Sequence, residues 1–149
     1  MRRYFYLLIA IVSGLALTSC NKFEKDATIT GKVGYVVALV DTVQNETTYV
    51  YKKAVGAKVF LMGDDGAPNP YTGPVLDTVT DSTGSYTFVV DAITEPNSQM
   101  IPNVNFGIKI QVFYFDSIIG PAYGELSGYH FTPGRDVELP IIFLNRQAQ

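Results

Sequence analysis

The chain has 149 residues, 47% of them hydrophobic, with 11 basic and 14 acidic side chains and a net charge of −3. That length supports one domain whose core needs neither metal nor disulfide. The acidic balance, with Lys52-Lys53 as the densest basic pair, argues against a nucleic-acid partner.

At the N-terminus, Arg2 and Arg3 precede a 14-residue apolar run, 4–17, that ends in Thr18-Ser19-Cys20. The run is shorter than the roughly 20 residues a membrane span requires, and it matches an export signal in charge, length and small residues. Cys20 is the only cysteine, so it has no intrachain disulfide partner. Its position after the small residues resembles the lipobox of bacterial lipoproteins. The resemblance implies a signal peptide over 1–19 forming the signal helix, diacylglycerol on the Cys20 thiol, a lipidated tether over 20–27 and a folded domain over 28–149. Loss of 1–19 removes two basic and no acidic residues, leaving a charge of about −5. Each buried methylene contributes about 0.8 kcal/mol, so two or three acyl chains hold such a domain at the membrane permanently. The Lys and acidic residues of 21–27 resemble the segment after the cysteine in surface-bound lipoproteins of gram-negative bacteria. The expected location is the outer membrane, facing periplasm or exterior; a plain spacer is the alternative for 21–27.

Val, Ile and Thr with 13 Gly and 8 Pro predict an all-β fold. Residues 28–40 predict a long strand interrupted by Gly31 and Gly34, 41–46 a turn, and 47–53 a returning strand with Tyr49 and Tyr51 on one face. In 55–62, Ala57, Val59 and Leu61 alternate against Lys58 and Phe60. The Gly- and Pro-dense stretch 63–74 predicts an irregular connection. Strands 75–80 and 85–90 flank Asp81-Ser82-Thr83-Gly84, a hairpin signal in which Asp caps and Gly takes the left-handed conformation. Residues 91–103 are irregular. In 106–115, Phe106, Ile108, Ile110, Val112 and Tyr114 form the core-facing set. Residues 122–131 predict an edge strand broken by glycines, and 137–144 a final strand with Pro140 at a bulge or edge. Seven or eight short strands separated by turn signals predict a β-sandwich.

Three segments, 29–33 (Ile-Thr-Gly-Lys-Val), 55–61 (Val-Gly-Ala-Lys-Val-Phe-Leu) and 77–88 (Asp-Thr-Val-Thr-Asp-Ser-Thr-Gly-Ser-Tyr-Thr-Phe), resemble the carboxypeptidase regulatory-like domain. The resemblance implies a transthyretin-like (prealbumin-like) Greek-key β-sandwich, a generally non-catalytic accessory module of secreted enzymes, transporters and lipoproteins. It covers 29–90 well. Two departures, an inserted hairpin at 34–54 and a long connection at 63–74, put the binding surface in doubt. The link to carbohydrate-binding-like folds is an analogy of fold alone.

Catalytic chemistry finds little support. A metal peptidase needs two or three protein ligands and a base, whereas His130 is the only histidine and reads as structural. No Gly-x-Ser-x-Gly elbow is present, Asp64-Asp65 reads as loop solvation, and the Asp64 loop lacks calcium-ligand spacing. No catalytic residue, metal or cofactor is expected. Tyr49, Tyr51, Tyr71, Tyr123 and Tyr129 fall in edges and loops where their amphipathic rings could meet a ligand. The expected function is a membrane-tethered module that binds an envelope protein, with glycan binding through the tyrosine-bearing loops as the alternative.

Overall fold

Strands account for all the regular structure in the computed structural model, which describes residues 26–90, 105–117 and 119–146. In chain order they are β1 (Ala27–Asp41), β2 (Glu46–Lys53), β3 (Lys58–Gly63), β4 (Leu76–Val79), β5 (Ser85–Val90), β6 (Phe106–Asp116), β7 (Gly120–Phe131), β8 (Val137–Glu138), β9 (Ile142–Phe143) and β10 (Asn145–Arg146). The expected signal segment, Cys20, the tether to residue 25 and the stretch 91–103 lie outside the described residues.

The strands form two sheets in an all-β arrangement consistent with a sandwich. β1 is the spine of the first sheet, and Val33 marks a change of partner on one of its edges. Its N–H donates to the Gly84 carbonyl (2.8 Å) and its own carbonyl accepts from the Ala54 N–H (3.0 Å). Before that point β1 pairs antiparallel with β5, beyond it with β2. The opposite edge is lined by β8 and β9, both parallel to β1, with Ile29 opposite Val137 and Val33 opposite Ile142. The register slips by one residue between those pairs. Pro140 sits in the slip, where a residue without an N–H costs the ladder nothing.

The second sheet has the order β10-β7-β6-β3-β4, antiparallel throughout. Residues 122–131, expected at an edge, instead form β7 inside this sheet, between β6 and β10. The glycine read as a break makes room: a Cβ on Gly124 would lie 2.7 Å from Ile142 and 3.1 Å from Leu144. Likewise β1 runs unbroken for 15 residues. Gly31 and Gly34 seat aromatic rings, Tyr86 over the first and Tyr51 over the second, each too close for a β-carbon.

Period-two alternation delivers the core. Ile29, Val33, Tyr86 and Phe88 of one sheet face Val59, Leu61, Ile108, Ile110 and Val112 of the other, all buried. Phe106 and Tyr114 pack at its margins. The Tyr86 hydroxyl is buried without a hydrogen-bond partner among the described residues, and burial pushes its pKa upward. Tyr86→Phe is therefore expected to raise stability by about 1 kcal/mol in chemical denaturation, because a desolvated, unpaired hydroxyl is removed while the ring stays. Loss of stability would show that the hydroxyl has a partner.

The turn at 81–84 forms with the capping chemistry expected but closes no hairpin: β4 pairs with β3 in the second sheet and β5 with β1 in the first, so the turn carries the chain from one sheet to the other. Asp81 Oδ1 accepts from the N–H groups of Thr83 (2.7 Å) and Ser85 (2.9 Å), and Gly84 has φ 76°. The connection 63–74 has no strand of its own, yet it is pinned to β6. Asp64 and Tyr71 both donate to the Gly107 carbonyl, and Gly107 donates to Asn69 at 2.7 Å.

Candidate functional site

Residues 33–41 (Val-Gly-Tyr-Val-Val-Ala-Leu-Val-Asp) are apolar at both parities, the pattern of a strand covered on both faces. Among the described residues that cover is missing. From Val36 onward β1 leaves the sandwich together with β2 as a two-stranded hairpin, whose side chains are exposed except for the partly buried pair Val37 and Val50. Tyr35 is the last core residue of β1 and packs on Tyr114 with ring centroids 5.7 Å apart. Six further residues at about 3.3 Å each carry the tip roughly 20 Å past it.

Side-chain chemistry shapes the tip. Asp41 Oδ1 accepts from the Val43 N–H at 2.8 Å and the Gln44 N–H at 3.3 Å. Asn45 takes φ 54°, a left-handed conformation that asparagine tolerates better than most residues. This reverses the chain in four residues and leaves Val43 at the apex, 91% exposed.

Register then assigns the two faces. Val36 opposite Tyr51, Ala38 opposite Tyr49 and Val40 opposite Thr47 form the outer face; Val37 opposite Val50 and Leu39 opposite Thr48 form the inner one. At the root, Tyr51 lies over Gly34 and meets Phe143 of β9 edge-on at 6.1 Å. Beside it is a cleft of about 420 Å³ lined by Lys32, Tyr51, Lys53, Thr83, Ser85 and Ile141. Among the described residues, the far edge of β2 has no strand against it. Isolated hairpins are marginal in water, and a hairpin apolar on both faces with a bare edge is suited to receiving another strand.

The five tyrosines do not form one site. Tyr49 (73% exposed) and Tyr51 share the outer face of the hairpin, as their spacing predicts. Tyr129 lines a second cleft, which shares Lys32 and Ile141 with the first. Tyr123 lies on the other sheet, half-buried beside Phe113. Tyr71 is corrected: it is only 6% exposed, because the 63–74 connection folds back and drives its ring edge-on into Phe131 at 5.8 Å. It is a core anchor, not a binding residue.

Sequence reasoning missed Val36, Leu39, Val40, Val43, Ile141 and Phe143. The two-sided apolar pattern of 33–41 was the available signal for the first three; nothing local marks Phe143, which joins them only through the parallel pairing of β9.

Asp64 and Asp65 show no catalytic pairing. Asp64 Oδ2 accepts from the Gly128 N–H at 2.8 Å and Oδ1 from Gly66 at 3.0 Å. These bonds, Gly128's foremost, hold its carboxyl below the usual range, and they tie the 63–74 connection to β7. His130 is exposed on β7, opposite Gly107. Among the described residues, no three His, Cys, Asp or Glu side chains converge as a metal site would require.

Comparison with known proteins supplies no family. No family model matches the chain, and no curated protein matches it. Among solved structures it is similar to a 9R-lipoxygenase from Cyanothece PCC8801, at 14% identity and a TM-score of 0.39. The match covers 90% of this chain and only 20% of that one.

Proposed function

We propose that the protein is a non-catalytic, lipid-anchored module of the bacterial envelope that binds a protein partner through the projecting β1–β2 hairpin. The observation that carries this reading is the hairpin itself, an apolar, open-edged strand pair standing outside the core. An extended segment of the partner would add to the bare edge of β2. Main-chain hydrogen bonds would supply affinity, and Val50, Tyr49 and Tyr51 would select alternate side chains. The geometry suits a tether: β1 starts at Ala27 and its 14 steps of about 3.3 Å place the tip some 45 Å away. An anchor at Cys20 would therefore hold the opposite end of the strand. The transthyretin-like Greek-key reading rests on the three resembling segments, which fall on β1, β3 and the β4–turn–β5 segment that crosses between the sheets, with β1 and β5 paired.

Crosslinking in the living host tests the reading. A photo-reactive residue at Val43 or Tyr49 is expected to give one discrete protein adduct in the membrane fraction, absent when the probe sits at Asn105 near the other end. Leu39→Lys with Val40→Lys should abolish the adduct, and Cys20→Ala should shift the protein out of the membrane fraction. No hairpin adduct, or an adduct indifferent to the two lysines, overturns the docking site; continued membrane residence of the Cys20 variant overturns the anchor.

A further inference from the structure

A second surface, independent of the hairpin, lies on the outer face of the β10-β7-β6-β3-β4 sheet. Pairing aligns two rungs there: Tyr123, Phe113 and Lys58 in one, Glu125, Gln111 and Phe60 in the next. Their rings form a continuous row, Phe113 lying 5.2 Å from Tyr123 and 5.8 Å from Phe60. Phe113 is 47% exposed and Phe115, one rung further along, 75%. Beside them is a cleft of about 370 Å³ whose lining includes Lys58, Phe113, Phe115 and Pro121.

The polar groups beside the rings are already ordered. Glu125 Oε2 accepts from Gln111 Nε2 at 3.0 Å and from the Tyr123 hydroxyl. These bonds, the tyrosine's first, hold the carboxyl below its usual range, so Glu125 is an ionised acceptor. Three side chains that would otherwise be mobile are thus set in place on a rigid sheet before any ligand arrives, which lowers the ordering cost of binding.

An occupant of this face must offer an apolar surface to the rings and hydrogen-bonding groups at its rim, the mixture that defines small-molecule sites in general. A wholly apolar partner would strip water from Glu125, Lys58 and Lys109 without replacing it. A polyanion would gain from Lys58 and Lys109 only what it lost against Glu125 and the exposed Asp77. An uncharged saccharide meets both demands, with its C–H faces on the rings and its hydroxyls toward Glu125, Gln111 and Lys109. We propose that the Phe60–Phe113–Tyr123 row, with Gln111 and Glu125, is a binding site for a neutral saccharide chain.

Affinity electrophoresis of the whole chain tests this, in gels carrying mixed-linkage glucan, xyloglucan, galactomannan or arabinoxylan, with polygalacturonate as the acidic control. At least one neutral polymer is expected to retard the protein. Phe113→Tyr should keep that binding, whereas Phe113→Leu, which preserves an apolar side chain on the strand but not the ring, should weaken it at least tenfold. Gln111→Ala should weaken it severalfold, and the Leu39→Lys, Val40→Lys hairpin variant should not change it. Retardation by no neutral polymer, by polygalacturonate alone, or equally for Phe113→Leu and the native chain overturns the proposal. None of these results bears on the hairpin, whose test is the crosslink.

Discussion

Thr80→Val should lower the stability of this protein by about 3 kcal/mol, and its melting temperature by about 10 °C, although the two side chains have nearly the same shape. Thr80 is the one polar residue among the buried ones described. Its hydroxyl donates to the Ala54 carbonyl at 2.6 Å and accepts from the Ala57 N–H at 2.9 Å. Its backbone completes the clamp: the Thr80 N–H donates to Ala57 O at 3.0 Å, and the carbonyl accepts from Gly56 at 3.1 Å. Together these bonds fix the short turn by which the chain passes from β2 in one sheet to β3 in the other. Valine would leave a buried donor and a buried acceptor without partners, in a place where Ala54 and Ala57 admit no solvent. Each such orphan costs about 1–3 kcal/mol. Thr80→Ser keeps the hydroxyl and should lose only about 1 kcal/mol for the missing methyl. Urea denaturation of the three proteins gives the order native, Ser, Val; a Val variant as stable as the native chain would show that the clamp contributes nothing net.

Gly63→Ala should be at least as damaging, at about 3 kcal/mol or more, and for a different reason. A β-carbon there would lie 2.0 Å from the Tyr71 carbonyl oxygen. Both sides of that contact are backbone, and neither is free to move. Tyr71 is held by its N–H bond to Gly107 O (2.9 Å) and by its ring against Phe131, and the Asp64 N–H donates to the same Gly107 carbonyl. Relief requires the whole 63–74 connection to lift from β6, taking a core aromatic with it, which belongs to the mechanisms that give large single-site losses. Limited proteolysis within 64–74 should accelerate alongside the fall in melting temperature. Gly56→Ala provides the contrast: Gly56 has φ 77° but, among the described residues, nothing within 4 Å of its missing β-carbon, so only the backbone conformation is strained, at about 1–2 kcal/mol. Equal melting temperatures for native chain and Gly63→Ala would mean that the connection is not seated as described.

Local chemistry carried the parts of the fold that depend on near neighbours in the chain. Alternation placed Val59, Leu61, Ile108, Ile110 and Val112 in the core, Asp81 and Gly84 made the turn their spacing requires, and Tyr49 and Tyr51 share a face because two residues separate their positions by a full strand repeat. The hairpin of 34–54 was legible for the same reason. Its exposure was not, since two-sided apolarity describes a covered strand as well as one waiting for cover.

What tertiary structure alone decided is each contact between residues far apart in sequence. β8 and β9 run parallel to β1 and bring Phe143 to Tyr51; the 63–74 connection folds in rather than out and buries Tyr71; and pairing of β3, β6 and β7 lines up Phe60, Phe113 and Tyr123. The sequence by itself determined where most strands lie, where they turn and which side chains need burial, because those follow from backbone sterics and a period of two. It missed that 137–144, read as one final strand, is two short strands, β8 and β9, with β10 beyond them, which makes ten strands among the described residues instead of seven or eight. It could not determine which strand edges meet, since any strand's N–H and C=O groups satisfy any other's. The Phe60–Phe113–Tyr123 row is made of residues that only that choice of partners brings together, whereas the hairpin joins near neighbours in the chain and owes to the tertiary structure only its exposure.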